Sequence, residues 1–215
     1  MAKIKQGILG GFSGKVASLV GTSWKGRAVM KSLPLSVANP RTESQVGQRN
    51  KFSKVAELAS AILTQFVQPV ENPIAGNISG YNLFCKDNKT AFNAAGELVG
   101  ANLVSGGGSL PFPSDAEIIT NFSEDEMTIE WTNDAAISPL RLTDKAYCVF
   151  MKDDGQVLKT VSGTVTRATK KIDLSSLIAE YDLSSGDDFV ALLAFVSADG
   201  RDVSVKTNAL LGTLS

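Results

Sequence analysis

The sequence predicts an α+β chain in which an N-terminal glycine-rich β arm with helices precedes an all-β sandwich. Three observations carry this. Glycine recurs at positions 7, 10, 11, 14, 21 and 26 around two short runs of strand character. Residues 42 to 66 then follow an amphipathic helical period, and beyond residue 113 the apolar period changes to 2.

The two runs in the arm are Lys15 to Val20 and Trp24 to Leu33. A hairpin or extended arm fits them, with Gly21 or Gly26 supplying positive φ or close backbone approach. An isolated hairpin is marginal in water, so the arm is expected to lean on something else.

After Pro34 and Asn39-Pro40-Arg41, Thr42 and Gln45 form the signature of a capping box that opens a helix. Phe52, Val55, Ala56, Ala59, Ile62, Leu63 and Phe66 mark its apolar face, and Pro69 and Pro73 are expected to close it. A shorter helical or mixed segment around Tyr81 to Phe92 follows. Gly106-Gly107-Gly108-Ser109, with Pro111 and Pro113, reads as a linker. The expected division is therefore 1–105 for arm and helices, 106–113 for the linker and 114–215 for the sandwich.

Seven runs in the last part read as strands: Ile118 to Phe122, Met127 to Thr132, Ala146 to Lys152, Val157 to Val165, Lys170 to Asp173, Phe189 to Val196 and Val203 to Leu210. Leu174 to Tyr181 interrupts them with a helical turn. Seven short strands in about 100 residues imply a β-sandwich.

Charge divides along the chain. Residues 1–54 hold ten Lys or Arg against the single acid Glu43, a net +9, while residues 55–215 carry a net −10. At 215 residues the chain can bury a sufficient core as one large domain or two modest ones. Lys15 breaks the glycine-rich apolar run near the N-terminus, so no signal peptide is read. Nowhere do about 18 apolar residues run together, and a soluble chain made in the cytoplasm is expected. Cys85 and Cys148 lie far apart without a CxxC pairing and are expected to be free, buried thiols.

Two resemblances follow from quoted segments. GGFSGKVASLVGTSWKGRAVMKSLP followed by NPRTESQVGQRNKF resembles an uncharacterised family of Bacteroidota and their phages that begins with a similar glycine-rich block. Proline-arginine-threonine ahead of a glutamine-rich helix also looks like segments of phage virion proteins, which implies a structural role. In the second half, MTIEWTND resembles the second strand of a fibronectin type III or immunoglobulin-like sandwich, with its core tryptophan Trp131. FVALLAFVSADGRDVS resembles the sixth and seventh strands. No paired cysteines flank Trp131, unlike an antibody domain.

The chain contains no histidine, which removes Ser-His-Asp and Cys-His nucleophile systems and His-ligated zinc. GGFSGKVA departs from a phosphate-binding loop, because Leu9 stands where the first glycine belongs and Val16 replaces the magnesium-binding hydroxyl. The acidic groups Glu124-Asp125-Glu126, Asp153-Asp154 and Asp187-Asp188 fall in expected turns without calcium-loop spacing, and read as solvated loop acids. No enzyme activity, cofactor or metal is expected.

The expectation is a structural or assembly subunit, foremost of a phage virion, that docks through Phe12, Lys15, Val16, Trp24, Lys25, Arg27 and Met30. Its partners would be further copies of the chain or neighbouring virion proteins, not a membrane. A carbohydrate- or protein-binding module using the sandwich loops is the alternative, though aromatic residues for sugar stacking are few in that half. Nucleic-acid binding by the basic half comes next, disfavoured by the absence of a reading motif and by the acidic half.

Overall fold

A computed structural model describes residues 3–4, 11–24, 26–33, 36, 41–133 and 139–215. The chain divides into two compact units, Met1–Arg41 and Thr42–Ser215. The first is a four-stranded antiparallel meander of β1 (Lys3–Ile4), β2 (Phe12–Val16), β3 (Leu19–Trp24) and β4 (Arg27–Ser32), paired in chain order. The expected run Lys15 to Val20 is cut by a turn at Ala17 and Ser18, where Ala17 takes the left-handed φ of 47°.

The second unit opens with α1 (Glu43–Ala61). Thr42 caps it as expected, its hydroxyl accepting from the Gln45 N–H at 3.4 Å. Val55, Leu58, Ala59, Ile62 and Phe66 form the buried stripe. Phe52, which the period placed on that stripe, is instead 62% exposed, because the face actually buried turns through Leu58.

Pro69 does not close the helix. The path widens into a π-helical turn at Leu63–Val67, continues as α2 (Gln68–Glu71) and ends in a 3₁₀ turn, Asn72–Ile74. Proline has no N–H for the carbonyl four residues back, which is that of Gln65. The Ser162 hydroxyl donates to the Gln65 carbonyl at 2.9 Å instead. A short helix α3 (Gly80–Asp87) follows, capped by Ser79. Beyond it Asn88 is fully buried, and its amide ties the end of α3 to Val104 of strand β5 (Val104–Ser105).

Two antiparallel sheets make up the rest. One has three strands in the order β10 (Lys171–Asp173), β7 (Glu126–Glu130), β6 (Glu117–Asn121). The other has four, in the order β13 (Leu210–Thr213), β11 (Asp188–Val196), β8 (Lys145–Lys152), β9 (Val157–Thr166). A helical turn, α4 (Ser176–Glu180), lies between β10 and β11, and β12 (Thr207–Asn208) pairs with β5. The expected strand Val203 to Leu210 is therefore divided: Val203 bridges Val196, β12 leaves for β5, and only β13 rejoins β11.

The four-stranded sheet is buried on both faces. Phe189, Ala191, Leu193 and Phe195 of β11 pack with Met127, Ile129 and Ile172 of the facing sheet. Val190, Leu192, Ala194 and Val196, on the other face, pack with Val55, Ile62, Phe66, Val70 and Phe84 of the helical layer. Side chains alternate across a strand, so a strand buried on both faces reads as continuous apolar sequence, here FVALLAFV. Helices, four-stranded sheet and three-stranded sheet form successive layers of one unit.

The division thus falls at Arg41 and Thr42 rather than at 106–113. The glycine run is packed and pinned: Gly107 and Gly108 N–H groups donate to the Ser204 carbonyl at 2.9 and 3.0 Å, and Gly106 donates to Glu71 at 3.3 Å. A side chain at Gly108 would stand 2.2 Å from the Val203 carbonyl oxygen, so glycine here permits close approach rather than looseness. Cys85 and Cys148 are both free and buried, one in each of the two cores. Among the described residues no helix is long and apolar enough to cross a membrane.

Candidate interaction surface

The arm holds its shape with little interior. Gly21 is its one buried residue among those described, and Phe12, Gly14 and Val20 are half-buried. A side chain at Gly21 would meet the Phe12 carbonyl oxygen at 2.2 Å and the Phe12 ring at 2.6 Å, so the ring lies across that glycine. Gly26 turns the last hairpin with φ of 79°, a conformation that favours glycine.

Register sorts the selected residues onto two faces. The pairs Gly14↔Gly21, Val16↔Leu19 and Gly21↔Met30 put Phe12, Val16, Leu19 and Met30 on one face with small residues. The pairs Lys15↔Val20, Trp24↔Arg27, Thr22↔Val29 and Val20↔Lys31 put Lys15, Trp24, Arg27, Val29 and Lys31 on the other. One face carries no charged side chain of β2 to β4, whereas the other carries every described cation of those strands. Trp24 and Met30 are each 64% exposed, and all of β4 is exposed. Lys25 lies outside the described residues.

Lys31 and Val29 were absent from the seven sequence-selected residues. The alternation Arg27-Val29-Lys31 along β4 is the period-2 signal that places them beside Lys15 and Trp24.

The acidic groups do local structural work. Asp187 accepts from the Ser184 N–H at 3.0 Å and pairs with Lys152 at 3.3 Å, and these contacts hold its carboxyl below the ordinary value. Asp154 accepts from the Gln156 N–H at 2.8 Å. Glu126 shares Lys171 with Glu130, at 3.1 and 3.2 Å. Among the described residues no three His, Cys, Asp or Glu side chains come together as a metal site.

On the second unit, exposed Phe52 on the outer side of α1 lies in a shallow apolar groove with Gln48, Arg49, Ser53 and Ala56.

Residues 11–210 match a family described only as a family of unknown function, DUF6266, and the chain belongs to it. The match runs across both units. A search of curated proteins found no match.

Proposed function

Taking membership of that family as the premise, we propose that the chain is a non-enzymatic assembly subunit of a phage virion that docks through its N-terminal arm. The observation that carries this reading is a sheet whose two faces are both largely exposed. A meander that buries almost nothing is too weak to serve alone, and exposed apolar patches of this kind mark interaction sites. Its Phe12, Val16, Leu19 and Met30 face supplies apolar area, and its Lys15, Arg27 and Lys31 face supplies orientation.

The second unit we read as a fibronectin type III-like sandwich serving as the body of the subunit. Of the seven strands β6 to β11 and β13, the first, second and fifth in chain order share one sheet, and the third, fourth, sixth and seventh share the other. Trp131 follows the second strand directly and is buried, its ring edge-on to Phe195 at 5.3 Å. Such folds serve many roles, so the functional reading rests on the arm.

Sedimentation of the full chain and of residues 42–215 tests the reading. Both hydrophobic cores lie inside 42–215, so the shortened protein keeps its fold. Assembly of the full chain that disappears with the arm is the expected result. A full chain that stays monomeric at about 100 µM, the weak end of specific association, or an oligomer unchanged without the arm, overturns it.

A further inference from the structure

We propose that the basic face of the arm docks on the outer face of the three-stranded sheet of a second copy, joining copies head to tail. This rests on the assembly reading above and names the partner surface within it. The arm face presents Lys15, Arg27 and Lys31 around Trp24 and Val29, and the chain has no Asp or Glu before Glu43. A basic sheet face with an apolar centre seeks an acidic sheet face.

The chain offers an acidic sheet face in its second unit, whose central position is the buried Thr128 and whose apolar contribution is the half-buried Ile119 on the edge strand. The outer face of the four-stranded sheet is covered by helices, which leaves that of the three-stranded sheet. There the row Ile118↔Ile129↔Ile172 points inward to the core. The rows on either side of it point outward: Glu117↔Glu130↔Lys171 and Ile119↔Thr128↔Asp173. Glu126 shares that outward face.

Glu117 stands directly across from Glu130, and like charges in that position destabilise a sheet. Lys171 serves Glu126 and Glu130, and among the described residues no ion pair reaches Glu117. Four carboxylates, those of Glu117, Glu126, Glu130 and Asp173, therefore surround Ile119, with Lys171 serving two of them and Lys159 beside Asp173. An incoming arginine or lysine relieves a repulsion that the fold itself builds in.

Self-pairing along the open edge of β4 is the competing arrangement. Antiparallel pairing of two copies of Arg27-Ala28-Val29-Met30-Lys31 about Val29 would set each Arg27 beside a Lys31, and that like-charge contact opposes it. A face-to-face stack needs only the usual sheet spacing of about 10 Å. The arm face is small, so one contact falls at the weak end of protein interfaces, below about 1,200 Å² in total. A head-to-tail contact uses different surfaces on the two copies, so it repeats into rings or filaments, where many weak joints act together.

Charge exchange in the full-length protein tests this. One variant carries Lys15→Glu, Arg27→Glu and Lys31→Glu; the other carries Glu117→Lys, Glu126→Lys and Glu130→Lys. Circular dichroism confirms that both fold, since exposed ion pairs such as those of Lys171 contribute little to stability.

In low salt, each variant alone is expected to lose self-association by about tenfold or more, because both of its faces then carry one sign. An equimolar mixture is expected to assemble, as is one chain bearing all six changes. A mixture that stays monomeric while the wild type assembles through its arm overturns this inference and leaves the assembly reading standing. A wild type that never assembles removes both. Retention of a duplex of about 30 base pairs by the wild type in moderate salt, lost in the arm variant and with no assembly of the mixture, also overturns it, by showing that the basic face serves nucleic acid.

Discussion

Glu71 closes α2 with its carboxyl fully buried; one oxygen accepts from Gly106, and the other has no hydrogen-bond partner among the described residues. Burial pushes its pKa up to about 7, aided by Asp87 and opposed by the Gly106 bond and Lys206. A carboxyl raised from 4.5 binds more protons folded than unfolded between those values. Its stabilising effect is therefore complete below about pH 4.5 and is lost as pH rises through about 7. Glu71→Gln keeps an acceptor for Gly106 and removes the charge. It is expected to raise stability by about 1–3 kcal/mol at pH 8 and by much less near pH 4.5, measured by urea unfolding at both. Arg167 poses a different problem: it is fully buried beside an almost fully buried Asp144, with Nε and Oδ2 3.7 Å apart. Its guanidinium donates to the Pro111 carbonyl at 2.7 Å and lies 4.1 Å from the centre of the Phe195 ring. Burial raises the Asp144 carboxyl, against the pull of Arg167, and lowers the Arg167 pKa. Removing only the cation strands a buried carboxylate, so Arg167→Met should cost about 3–5 kcal/mol. Adding Asp144→Leu should recover most of that loss in the same unfolding measurement, and a further loss of similar size would show that the two residues act independently.

At the scale of elements, the π-helical turn shows how a proline can sit within a helical path. Ser162 takes the Gln65 carbonyl left without a Pro69 N–H, so Ser162→Ala should cost about 1 kcal/mol, seen as a lower urea midpoint. An unchanged midpoint would show that water replaces the hydroxyl. Elements with local signals were legible in the sequence. Thr42 with Gln45 gave the start of α1, and the runs read as strands beyond residue 113 matched β6 to β11 to within a residue or two at their ends. What proved illegible depended on distant partners. Pro69 reads as a stop until Ser162 arrives from β9, and Gly106 to Gly108 read as a hinge until Ser204 and Val203 close on them. Phe52 fits the helical period but lies outside the stripe that the sheet covers. In the arm, the run Trp24 to Leu33 contained β4, whereas Lys15 to Val20 straddled the turn between β2 and β3, and β1 was not read. The separation of Phe12, Val16 and Met30 from Lys15, Trp24 and Arg27 needed the pairing register, which two-residue turns set and composition does not reveal.

For the molecule as a whole, the decisive sequence clue was the unbroken apolar run Phe189 to Val196. A strand with one face in water alternates apolar and polar residues, whereas this one has no polar position and so needs cover on both sides. The cover on one side comes from residues 42–103, which a division at 106–113 would separate from the sheet they protect. Residues 114–215 alone would expose Val149, Met151, Val190, Leu192 and Val196 together. Exposing a Val, Leu or Met side chain costs about 1.5–3 kcal/mol, so five of them sum to about 10 kcal/mol, comparable with the whole stability of a typical domain. Residues 42–215 are therefore expected to unfold in one cooperative transition, with far- and near-ultraviolet circular dichroism coinciding. Residues 114–215 are expected to bind a hydrophobic dye, aggregate, or lose the near-ultraviolet signal of Trp131. The comparison separates two architectures that share the same strands. A monomeric 114–215 fragment with a cooperative transition as late as that of 42–215 would mean that the facing sheets stand by themselves, and that the helical layer is an accessory rather than half of the core.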